Sequence, residues 1–167
     1  MRAHLFFLLG MCVSCKDPVR DQRIRDLGDE DPNVPIGVDH RPGQPCLVCH
    51  SEGGPADDKP FAVAGTIFTT PSPGSKGASG IEVRFVDSGG SSPRLAIFTA
   101  ASGNFFVTTD QWPDLAFPFR TAIFDASSKP LQAMQSVVDR EGSCNFCHDP
   151  NADGSQSIGP IWTSGAP

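Results

Sequence analysis

Apolar and polar positions alternate through the middle of the chain. In "IEVRFVD", Ile81, Val83 and Phe85 fall on one face and Glu82 and Arg84 on the other, a period of two that predicts a half-buried strand. "FAVAGTIF", "RLAIFT", "NFFVT" and "FPFRTAIFD" are further strand candidates, separated by the turn-rich stretches "TPSPGSKGASG", "DSGGSSP", "AASG" and "DQWPDLA". About five to seven short strands broken by Gly, Pro and Ser loops describe a β-sandwich. "LQAMQSVVDREG" fits either a last strand or a short helical turn. The expected fold is mainly β, a small sandwich flanked by loop-rich segments.

The N-terminal pattern is different. In "MRAHLFFLLGMCVSCKD" one basic residue, Arg2, precedes a short apolar run from Leu5 to Val13, the shape of a secretory signal and too short to span a bilayer by itself. Val13 and Ser14 before Cys15 resemble a bacterial lipobox, which implies lipidation of Cys15 as the first mature residue, although Cys12 stands where that pattern prefers Leu. An ordinary cleaved signal is the alternative. Residues 1–14 are therefore read as the signal and 15–39 as a charged, Pro/Gly-containing tether, since "KDPVRDQRIRDLGDED" has little apolar surface to offset the entropy of ordering. A short helix within it is the other reading.

Length and charge then narrow the class. The chain has 167 residues, room for about one domain of the usual 100–200 residues plus appendages. With 13 Lys and Arg against 19 Asp and Glu and no basic run, a nucleic-acid partner is not expected. Twelve Phe and no Tyr supply most of the large apolar area for a core.

Two short motifs bracket the strands: "CLVCH", Cys46 to His50, and "CNFCH", Cys144 to His148. Haem becomes covalently attached when two thiols add to its vinyl groups; two intervening residues set their separation, and the following His lies beneath the iron. Both motifs satisfy this pattern, which is that of c-type cytochromes. Cys46, Cys49, Cys144 and Cys147 are the expected anchors of two covalently bound haem c groups, and His50 and His148 the proximal ligands. Two other readings remain: the four Cys could close one tetrahedral zinc site, or pair as disulfides in a small exported domain.

Counting bounds the distal ligands. Beyond the signal, with Met1, His4 and Met11, the remaining His and Met are His40, His50, His148 and Met134, so His40 and Met134 are the usual distal candidates. The chain cannot make two bis-His haems alone. His40 lies in a polar loop from which it could reach either iron, and Met134 lies in an apolar stretch where Met often serves only as packing. No nucleophile elbow, phosphate-binding Gly-rich loop or HExxH pattern is present, so no enzymatic activity is expected. "DPNADGSQS" has the spacing of a calcium loop in Asp149, Asn151 and Asp153 but has Pro160 where the bidentate Glu belongs, and reads as a turn. Trp112 and Trp162 are expected to cover the core or haem edges, with a sugar platform as the rival reading.

One further resemblance concerns the strands. "VAGTIF", then Gly80 with "IEVRF", then "TAASGNFFV" resemble the carboxypeptidase regulatory-like domain over roughly residues 61–125. That resemblance implies a small Greek-key β-sandwich that serves as a rigid carrier or binding module without catalytic residues. The expected organisation is signal at 1–14, tether at 15–39, a first haem-binding segment at 40–60, sandwich at 61–138, and a second haem-binding segment and tail at 139–167. The expected function is one-electron transfer with redox partner proteins in the bacterial envelope. The chain is expected to be exported to the periplasm or outer membrane and held to the membrane by a lipid anchor. Alternatives are an envelope module binding sugar or protein, stapled by zinc or disulfides, and a haem-based gas sensor.

Overall fold

The computed structural model describes residues 17–89, 95–151 and 157–163. Cys12, Cys15 and the expected signal lie outside the described residues, as does part of the calcium-like loop. Among the described residues no helix is long and apolar enough to cross a membrane.

The alternating segments become β1 Phe61–Phe68, β2 Glu82–Asp87, β3 Leu95–Phe98, β4 Asn104–Thr108 and β5 Phe119–Phe124, and the chain adds β6 Pro130–Ala133 and β7 Ile161–Trp162. They form a three-stranded sheet, β4-β1-β7, and a four-stranded sheet, β3-β2-β5-β6. The chain crosses between sheets from β1 to β2, back from β3 to β4, again from β4 to β5, and returns to place β7 parallel to β1. The ambiguous segment after residue 130 starts as a strand, β6, antiparallel to β5.

This is the expected small β-sandwich. Val63, Ile67, Phe105 and Val107 of one sheet meet Val83, Phe85, Phe119 and Ile123 of the other, with Trp112 buried among them. Phe85 is central: its ring lies 5.8 Å from Trp112 and 6.0 Å from Phe119, the offset and edge-on spacing that aromatic quadrupoles favour. Period two holds on β2, where Val83 and Phe85 enter the core while Arg84 lies across the Phe124 ring at 3.9 Å on the outer face.

Two features depart from the sequence expectation. Residues Pro18–Asp26 of the charged tether form α1, capped by the Asp17 side chain, which accepts from the Val19 and Arg20 amides, and opened by Pro18 in the first turn. No residue of α1 is buried, which fits its lack of an apolar face. The C-terminal segment also contributes more than a site, since β7 completes an edge of the sandwich beyond residue 138.

β1 is covered on both faces. Its burial is continuous from Val63 to Phe68, whereas a sheet face turned to water would alternate. The core covers one face, and the two Cys-containing segments lie against the rest of the strand.

Candidate functional site

Each motif winds into a single helical turn. Cys46–Val48 is a 3-10 turn whose last bonds run from the Cys49 and His50 amides to the Cys46 carbonyl, at 3.1 and 2.9 Å. In the second motif Cys144–Cys147 forms α2, and the His148 amide donates to the Cys144 carbonyl at 2.9 Å. In both motifs the turn thus runs from the first Cys to the His, with the two Cys at its start and end.

Both imidazoles are oriented in the same way. His50 Nδ1 lies 2.9 Å from the Lys59 carbonyl oxygen, and His148 Nδ1 lies 2.9 Å from the Gly159 carbonyl oxygen. A carbonyl only accepts, so Nδ1 carries the proton and Nε2 is the lone-pair nitrogen in both rings. His50 is further fixed by stacking on Phe61, with ring centres 4.0 Å apart and planes 9° apart, and Phe61 stacks on Phe106 at 4.5 Å. At His148, burial holds the imidazole below its ordinary pKa and so favours the neutral ring, against the opposing effect of the Gly159 bond.

The four Cys are free thiols. Burial pushes Cys46 up to about 11 and Cys144 up to about 12, and a nearby Cys46 charge adds to the rise at Cys144. Cys49 is also raised by burial, whereas Cys147 is exposed. Cys46 and Cys144 are thus neighbours across the two motifs. Among the described residues no group of three or more His, Cys, Asp or Glu side chains is assembled to hold a metal ion.

β1 brings the two motifs together. Ser143 forms a parallel bridge with Ala64, and the Ala64 amide donates to the Gly142 carbonyl at 2.9 Å, so the second motif is joined directly to the strand. A Cβ at Gly142 would lie 2.0 Å from the Ala62 carbonyl oxygen and 3.2 Å from Leu47 of the first motif, an approach that only glycine permits. The loop entering the first motif meets the chain leaving the second where Gly43 abuts Pro150. α1 touches both motifs: Arg20 donates to the Glu52 carbonyl at 2.6 Å, and Arg23 lies 5.0 Å above the Phe146 ring.

A buried polar network ties these pieces together. Asn145, the residue after Cys144, accepts from the Thr66 amide at 2.9 Å and donates to Thr66 Oγ1 at 3.0 Å. Thr66 Oγ1 also accepts from the Gly43 amide at 2.8 Å and donates to Asn104 Oδ1 at 2.8 Å. Asn104 Nδ2 in turn donates to the Val38 and His40 carbonyls at 3.1 and 2.8 Å. Thr66 and Asn145 are each 1% exposed, so these bonds replace water completely. None of the three was singled out from sequence. The available signal was a polar residue interrupting an apolar strand, Thr66 in "FAVAGTIF".

The distal candidates separate. His40 is pinned through its backbone beside the first motif rather than free to swing between the two, and its ring centre lies 5.9 Å from that of His50. Met134 follows β6 on the four-stranded sheet, its amide donating to the Thr121 carbonyl of β5 at 3.0 Å. Trp112 belongs to the core, and Trp162 lies on β7 opposite Phe68.

The fold and site together define a small β-sandwich carrying two Cys-x-x-Cys-His turns on one strand. No family model, no curated protein and no solved structure matches the chain.

Proposed function

We propose that this chain is an exported dihaem c-type cytochrome that passes single electrons between partner proteins of the bacterial envelope. The observation that carries the reading is the repeated geometry of the motifs. Twice, a helical turn carries a Cys-x-x-Cys pair and ends at an imidazole whose Nδ1 donates to a backbone carbonyl, leaving Nε2 for a metal. The rival reading, one zinc held by the four thiolates, does not call for an oriented His after each pair.

In this reading Cys46 and Cys49 hold one haem c and Cys144 and Cys147 the other, with His50 and His148 as proximal ligands. Bound haem supplies an iron centre that gains and loses one electron. The chain's own part is to hold the ligands rigid. Carbonyls of Lys59 and Gly159 fix the ring orientations, Phe61 restrains His50, and β1 keeps both motifs on one support. A short relay between donor and acceptor follows from that shared support. The resemblance to carboxypeptidase regulatory-like domains fits a rigid carrier, and the lipobox at Cys15 would anchor it to a membrane, with the charged segment as spacer.

The test is expression with a c-type cytochrome maturation system, followed by a reduced pyridine spectrum and a potentiometric titration. Two haems per chain and reversible one-electron steps are expected. Haem-free protein binding one zinc per chain would replace electron transfer with the stapled binding module.

A further inference from the structure

Resting on the dihaem reading, we infer that His40 and His50 are the two axial ligands of a single iron, and that the iron held by His148 keeps an open position that takes a small neutral diatomic ligand such as carbon monoxide or nitric oxide.

Spacing is the first argument. A metal–nitrogen bond of about 2 Å plus about 1.1 Å from Nε2 to the ring centre places two imidazoles on opposite sides of one iron with centres about 6 Å apart. The His40 and His50 centres are 5.9 Å apart. Their planes differ by 50°, which axial pairing accommodates because each plane need only contain the common axis.

The second argument is orientation. His40 Nδ1 contacts the Gly37 carbonyl oxygen, so His40, like His50, has its proton on Nδ1 and its lone pair on Nε2. The third is that this placement is built rather than incidental. Asn104 binds the Val38 and His40 carbonyls, Asp39 accepts from the Ser102 amide at 2.8 Å, and the Gly43 amide is held by Thr66. The loop is fastened on both sides of His40, beside His50.

The asymmetry follows from the count of ligands. With His40 committed to the first iron, Met134 is the remaining usual donor beyond the signal, and it follows β6 on the opposite sheet. An iron with one protein ligand is the one open to gases.

The experiment uses the mature dihaem protein, with haem counted by the pyridine spectrum and bound carbon monoxide counted by spectral titration of the reduced form. One carbon monoxide per two haems is expected, with equal low-spin and high-spin ferric haem by electron paramagnetic resonance. His40→Ala should double the stoichiometry to two, His40→Met should return it to one, and Met134→Ala should leave it at one. A wild type that binds none or two, or a His40→Ala protein that still binds one, would overturn the inference. Fewer than two attached haems in the wild type would instead mean that the dihaem reading itself has failed.

Discussion

At the scale of single residues, Thr66 holds the site together. Its hydroxyl serves Gly43 before the first motif, Asn145 within the second, and Asn104 beneath His40. Thr66→Val keeps the shape but strands these buried groups, each at about 1–3 kcal/mol, so a loss of at least about 2 kcal/mol is expected in urea denaturation. Thr66→Ser keeps the hydroxyl and should cost only about 1 kcal/mol, the value of one buried methyl. Equal losses for the two variants would show that packing, not hydrogen bonding, is what Thr66 contributes. Glu82 offers a pH test of the outer face. Its carboxyl is held below the usual range by its bonds to Arg84, at 2.7 and 2.6 Å. A depressed carboxyl stabilises the fold above its unfolded pKa and ceases to do so as pH falls through its folded pKa. The stability gap between wild type and Glu82→Gln should therefore narrow on acidification; a gap independent of pH would contradict the charge-based account.

At the scale of elements, the strands were readable because their signal is local. Ile81, Val83 and Phe85 alternate with Glu82 and Arg84, and β1 to β5 fall within the segments so identified. The Cys and His of each motif were equally legible, since a helical turn needs only five consecutive residues. The polar network was not, because it joins residues 79 and 38 apart in sequence. α1 was only the second reading of its segment, because it has no apolar stripe and rests instead on its Asp17 cap, Pro18 and surface pairs such as Gln22 with Asp26 at 2.7 Å. His40 looked free for the same reason: nothing near it in sequence foretells its tie to Asn104. Docking of α2 on β1 is the element-level feature most open to test. Gly142→Ala drives a methyl into the Ala62 carbonyl and should lower haem occupancy at the second motif while the first is retained, measured by mass after proteolysis. Full occupancy of both sites in this variant would mean that the approach of the second motif to β1 is not needed for loading.

At the scale of the whole molecule, the buried core lies in the sandwich and α1 adds nothing to it. α1 buries no residue and reaches the body through the Arg20 bond to Glu52 and the Arg23 contact with Phe146. Removing residues 1–26 should change unfolding free energy by about 1 kcal/mol or less, as for exposed contacts of this kind. A loss of several kcal/mol would make α1 part of the folded domain rather than of a spacer. The body that remains sets two Cys-x-x-Cys-His turns on one strand, the arrangement on which the proposed electron relay rests. The central claim, two haems attached through Cys46, Cys49, Cys144 and Cys147, is tested most directly by intact mass under denaturing conditions after co-expression with the maturation system. The account predicts two haem increments in the wild type and one in each of the Cys46→Ala/Cys49→Ala and Cys144→Ala/Cys147→Ala proteins. An unmodified mass in the wild type would contradict it.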